Sequence, residues 1–412
     1  MSSSQLDPID DIDQIPSSKD SLYDGAYLPG HPSQSSIEYL ALPGGGVAGA
    51  AFGGVIKELE ERGYRRSIKY WTGSSAGAIC SSMAAMGASA EYMIDKLVRT
   101  DKKIFLDFGG QPQIKGEFTL WETYRKYRYG ITELLGKLGT ARGTQFQKWF
   151  EEAMSEVGWN YQTTFADLYN ETGRHLCITA TSLNTFGPLY FSRSSYPYMR
   201  ISDAVHVSMS LPFIFQPTLM EDPAMPSGDR YLSDGAILDS LPLNVFDAMS
   251  PTGEILGFNR RAVGFTLVEH GKWVPDYVQV DGLTKYALTF ISGLRNRINV
   301  FQSHQPYFWN RVVPIETHGV DSIDFDAGPE AMQRLVQSGQ ESTRLYLDRR
   351  EAMIGRYGPL PGNLFIPNHR LRTQNIEYLS NDFTETMLIY QTNPEKFAMN
   401  QIPATENYHL WS

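Results

Sequence analysis

The chain has 412 residues, 42% of them hydrophobic, enough to bury a large core in one large domain or two smaller ones. Its 46 acidic and 36 basic residues leave a formal charge of -10, which argues against nucleic acid as a partner and against attachment to anionic lipid by charge alone. Any membrane contact is therefore expected to be local and apolar.

Positions 1–34 are rich in Ser, Asp and Pro and carry neither a basic n-region nor an apolar h-region, which predicts a disordered leader. No run of about 18 apolar residues follows. Neither a cleaved signal peptide nor a transmembrane helix is expected, and the protein is expected in the cytoplasm or peripherally at membranes. Positions 37–42 read as a buried strand, followed by Pro43-Gly44-Gly45-Gly46 and a helix with Phe52, Val55, Ile56 and Leu59 on one face, stopped by Gly63. Positions 68–72 predict a second strand, and a small-residue helix then runs to Met86. Residues 37–87 thus form a strand–helix–strand–helix unit, the kind that builds parallel sheets with helices on the faces. Cys80, in that second helix, and Cys177, in the strand predicted over 176–181, read as small buried apolar residues rather than catalytic or metal-binding groups.

Between 90 and 160 the helical patterns carry Trp121, Tyr124, Tyr127, Tyr129, Phe146, Trp149 and Phe150, a helical cap over a site or simply core, with core the better reading. Further strands are predicted over 189–192, 231–232 and 262–268, a short helix over 203–209, and a long helix from Glu330 to Met353 with Pro329 at its start.

Gly73-Ser74-Ser75-Ala76-Gly77 lies between a predicted strand and a predicted helix. That makes Ser75 a candidate nucleophile on a tight turn, with the helix N-terminus aimed at whatever it attacks. Gly44-Gly45-Gly46 offers backbone N–H groups for a developing oxyanion. With Gly49 the same stretch also satisfies a dinucleotide-binding pattern, although no acidic residue ends the second strand to hold a ribose. For the base, His270 follows in Ser-Asp-His order, while Asp234 ends a short strand and precedes the small pair Gly235-Ala236.

Taken in order, Gly44-Gly45-Gly46-Val47-Ala48-Gly49, Gly73-Ser74-Ser75-Ala76-Gly77 and Asp234-Gly235-Ala236 resemble the three signatures of the patatin-like phospholipase family. Similar features join them: the stretch from Ser208 to Pro217, Leu241-Pro242, and Ile323-Asp324-Phe325-Asp326. The resemblance spans about residues 36–350 and implies a catalytic domain over 35–350 with a C-terminal extension over 351–412. The implied fold is a three-layer α/β/α architecture with a mainly parallel central sheet. The implied chemistry is a Ser75–Asp234 dyad that cleaves lipid esters through an acyl-enzyme. Gly44, Gly45, Gly46 and Ala76 would form the oxyanion hole. It implies a lipid substrate met at a membrane or micelle surface; no cofactor is expected, no metal because nothing in the sequence resembles an oxygen-rich metal loop, and no nucleic acid because of the negative charge. Many members carry Arg or Lys where this chain has Ala48; Arg193 or Arg200, each after a strand, are candidates to supply that charge. The alternatives are a Ser–His–Asp esterase using His270 and a catalytically silent lipid-binding protein.

Overall fold

Alternate side chains of β1 (Tyr39–Leu42) enter two different cores: Leu40 and Leu42 pack on one face of the sheet, Tyr39 and Ala41 on the other. A strand buried on both faces reads as a continuous apolar run, which is why the sequence signal at 37–42 is strong. The computed structural model describes residues 37–105, 139–222, 225, 228–249, 255–259, 261–269, 283–303, 308–357 and 365–367. The leader, Trp121, Tyr124, Tyr127, Tyr129, His270 and nearly all of the C-terminal extension lie outside these residues.

The main sheet also contains β2 (Tyr70–Gly73), β3 (His175–Ser182), β4 (Gly187–Ser192), β5 (Thr218–Glu221), β6 (Asp229–Asp234), β7 (Ala262–Val268) and β8 (Val312–Glu316), in the spatial order β8-β7-β1-β2-β3-β6-β5, with β4 also paired to β3. The five strands from β8 to β3 are parallel; β4 and β6 run antiparallel to β3, and β5 antiparallel to β6. This is an α/β fold with a mixed, mostly parallel central sheet.

The larger core lies under α1 (Ala51–Glu61), α2 (Ala76–Ala85), α3 (Ala90–Arg99), α4 (Thr144–Glu156) and α5 (Ile201–Ser208). Phe146, Trp149 and Phe150 of α4 are buried in it. The opposite layer is thinner. There the 3-10 turn Pro242–Phe246 and the short helix Phe308–Arg311 bring Leu243, Phe246 and Phe308 onto Tyr39 and Cys177. A longer helix, α6 (Leu283–Ser303), meets the 3-10 turn Gly235–Ile237, and α7 (Pro329–Tyr357) crosses α1. At that crossing Gly54 faces the Val336 carbonyl and Gly339 faces the Ala51 carbonyl so closely that a Cβ at either would overlap backbone. The helix that begins at Pro329 continues through position 350, so the expected boundary there falls inside it.

Strand β3 brings the two signature loops together. Its His175–Ile178 half pairs with β2, Gly73 lying opposite Ile178, and β2 ends there. Because β4 occupies the other edge of β3 from Cys177 to Ser182, the edge that β2 vacates is taken by β6, with Asp234 opposite Ala180. The end of β2 and the end of β6 are thus two residues apart along one strand, on the order of 7 Å.

Candidate active site

Between β2 and α2 the chain reverses at Ser75, whose φ of 51° and ψ of -120° lie in a region that side chains rarely occupy. Gly73 and Gly77 permit the reversal: a Cβ on Gly73 would overlap the Gly77 carbonyl, and one on Gly77 would overlap the Leu42 carbonyl. The strained backbone is clamped by its surroundings. The Ser75 N–H donates to Ser208 Oγ at 2.9 Å, and Thr179 Oγ1 donates to Ser74 Oγ at 2.7 Å.

Asp234 is fixed as firmly. Its N–H donates to the Ser210 carbonyl at 3.0 Å, and its carbonyl accepts from Thr181 Oγ1 at 2.8 Å. Ser208 and Ser210, at the end of α5, therefore hold the backbones of both Ser75 and Asp234. Gly235 lies against Thr179, where a Cβ would overlap the threonine, and this close approach seats the Asp234 turn on β3. The carboxylate is 2% exposed; Ala236 N–H donates to its Oδ1 at 2.7 Å and the Ser75 hydroxyl donates to its Oδ2 at 2.8 Å. Burial pushes the Asp234 carboxyl up to about 6, against the opposing pull of those two hydrogen bonds and of the Arg295 charge. A carboxylate so placed is mostly ionised at neutral pH yet basic enough to accept a proton.

Gly46, at φ 50°, faces the Ser322 carbonyl, which accepts from Val47 N–H at 2.9 Å and leaves no room for a Cβ. The amides of Gly45, Gly46 and Ala76 have no protein acceptor among the described residues, so they can serve an oxyanion. The Gly44 amide differs from the expectation: it donates to the Ser240 carbonyl at 2.9 Å. Gly44 contributes space instead, because a Cβ there would overlap Ala236 and press on Ser75. Gly49 likewise makes room for Ala76, so the glycine spacing that matches a dinucleotide pattern is accounted for by packing of the turn.

A pocket opens over Ser75 and Asp234. Its walls are mainly apolar, with Ile79, Phe105, Phe146, Trp149, Phe215 and Phe325 among them, so Phe146 and Trp149 belong both to the core and to the wall. Arg295 of α6 also reaches this pocket; nothing in its surrounding sequence, a mixed polar and aromatic run, distinguishes it. Ser208 opens the Ser208–Pro217 stretch, where the sequence alone does not single it out, and Ser322 has no sequence signal of its own.

Other candidates lie elsewhere. Ala48 is buried and uncharged; Arg193 stacks on the Tyr169 ring at 3.9 Å, and Arg200 pairs with Asp203 at 2.6 Å, so neither supplies charge to the pocket. Two histidines outside the pocket lining are engaged elsewhere: His175 stacks on Tyr70 with centroids 4.6 Å apart, and His206 Nε2 lies 3.2 Å from the Arg142 carbonyl. Both cysteines are buried, free thiols, and burial pushes Cys80 up to about 12. Among the described residues no cluster of metal-ligating side chains occurs, and no helix is long and apolar enough to cross a membrane.

A family model described as patatin-like phospholipase matches residues 40–247. The chain is 30% identical over 326 residues to the uncharacterized protein R571 of Acanthamoeba polyphaga mimivirus, covering 76% of this chain and 94% of the relative. It is 24% identical over 319 residues to the uncharacterized protein YqhO of Bacillus subtilis (strain 168), covering 74% and 96%. Among solved structures, VipD from Legionella pneumophila is similar with a TM-score of 0.48 and 19% identity, over 77% of this chain and 68% of that one.

Proposed function

The chain belongs to the patatin-like phospholipase family, and from that premise we propose that it is a lipid acyl hydrolase acting on phospholipid carboxylic esters through a Ser75–Asp234 dyad. Ser75 Oγ attacks the ester carbonyl while its proton passes to Asp234 Oδ2, and the N–H groups of Gly45, Gly46 and Ala76 receive the oxyanion. Collapse of the tetrahedral intermediate breaks the ester C–O bond, and Asp234 returns the proton to the departing alcohol. Water, deprotonated by Asp234, then attacks the acyl-enzyme; collapse releases the fatty acid and restores the serine hydroxyl.

The observation that carries this reading is the 2.8 Å hydrogen bond from a strained serine to a buried carboxylate, beside three unengaged amides. The apolar pocket wall suits an acyl chain, and lipid would be met at a membrane or micelle surface. No described histidine bonds to Ser75, which favours the dyad over a triad.

The test is incubation of purified protein with a mixed lipid extract and identification of released acids by mass spectrometry. Fatty acid release that disappears in Ser75→Ala, with circular dichroism unchanged, is expected. Equal release by that variant would exclude Ser75 as nucleophile.

A further inference from the structure

We propose that Arg295 is the specificity-determining residue of this pocket, binding the phosphate of a phospholipid substrate while the acyl chain lies along the apolar wall. The inference rests on the acyl-hydrolase reading and adds to it the residue that selects a phosphate-bearing ester over a neutral one.

Arg295 projects from α6 into the same pocket as Ser75 and Asp234. Among the described residues its guanidinium makes one hydrogen bond, a long one of 3.5 Å to Ser322 Oγ, and no carboxylate stands within salt-bridge distance. Asp234 and Asp321 attract it only from beyond contact. A partly buried guanidinium normally meets a carboxylate or phosphate in bidentate geometry, because leaving its donors unpaired away from water is costly. The pocket's other cations are placed differently. Lys96 pairs with Glu156 at 2.7 Å, and Lys102 Nζ lies 3.4 Å from the Val98 carbonyl.

The location fixes which part of a substrate would reach it. Ser322, which Arg295 touches through its hydroxyl, receives Val47 N–H through its carbonyl and packs on Gly46. Arg295 therefore stands at the glycine-turn side of the reacting centre, close to where the ester is held. In a glycerophospholipid the phosphate is only a few bonds from the scissile ester, so one bound molecule can span both points. A neutral glyceride offers the cation nothing.

The experiment compares wild type, Arg295→Gln and Arg295→Lys on a short-chain phosphatidylcholine and on the diacylglycerol with the same chains, below their micelle-forming concentrations. The ratio of kcat/KM for the phospholipid to that for the diacylglycerol is expected to fall about thirtyfold in Arg295→Gln, mainly through KM, and to recover in part in Arg295→Lys. A ratio within threefold of wild type would overturn the proposal, as would equal losses on both esters, the result if Arg295 only tuned Asp234 or the fold. A diether phosphocholine, which has no ester to cleave, separates this proposal from the hydrolase reading. It is expected to bind wild type at least tenfold more tightly than Arg295→Gln even if neither ester is cleaved, and equal affinity would count against Arg295.

Discussion

Ser75 and Asp234 each carry a local cost that the rest of the fold sustains. The serine sits at φ 51°, a conformation that costs on the order of 1–3 kcal/mol for a residue with a Cβ. Ser75→Gly should therefore have an unfolding free energy from urea titration about 1 kcal/mol higher than Ser75→Ala, with activity lost in both; equal stabilities would remove the strain from the account. Asp234 is held at about 6 by burial, above its ordinary value near 3.8. Two consequences follow for pH. The kcat/KM profile should lose about tenfold per unit below an apparent pKa near 6, as the base becomes protonated. For stability, a carboxyl raised in the folded state binds its proton more tightly folded than unfolded, so its contribution is favourable below about 4 and is lost as pH rises through 6. Asp234→Asn should accordingly be more stable than wild type at pH 8, by on the order of 2 kcal/mol, and the gap should close near pH 4. A constant difference across that range would contradict the assignment. These two residues were legible in the sequence because the small neighbours Gly73, Gly77, Gly235 and Ala236 leave a signature. Arg295 was not, since it reaches the pocket by tertiary packing from a segment without a pattern of its own, nor was Ser322, which meets the glycine turn through its backbone carbonyl.

At the scale of elements, β3 sets the distance between Ser75 and Asp234, since β2 and β6 share one of its edges in succession. The Thr181 hydroxyl ties the end of β6 to this strand through the Asp234 carbonyl. Thr181→Val keeps the shape and leaves that carbonyl without its side-chain donor, so a stability loss of about 1–2 kcal/mol is expected, together with a fall in kcat. Urea titration and steady-state kinetics on the same preparations would check both, and an unchanged kcat would mean that Asp234 needs no such support. The shared edge could not be read from sequence, because pairing depends on which strand ends first. The edge strand β8 was also missed. Pro314 argues against a central strand, yet at the edge of a sheet its missing N–H is tolerated. The long α6 was hidden for another reason: it carries Gly293 and mixes polar with aromatic residues along its length.

At the scale of the whole molecule, stability and chemistry are expected to separate. The crossing of α1 and α7 is built on Gly54 and Gly339, away from the pocket. Gly339→Leu should lower the unfolding free energy by at least about 2 kcal/mol while the folded fraction keeps its kcat; a proportionate loss of kcat would mean that this crossing tunes the site. The parallel unit over 37–87 and the strand at 262–268 were legible as runs buried on both faces, whereas the thin second layer of 3-10 turns offers no period to read. The central claim, that Asp234 is the base for Ser75, is met most directly by labelling with a fluorophosphonate across pH and locating the adduct by mass spectrometry. The account predicts a single adduct on Ser75, a labelling rate that rises with one ionisation near pH 6, and a rate at least a hundredfold lower in Asp234→Asn. Labelling of Asp234→Asn at the wild-type rate, or an adduct on another residue, would contradict it.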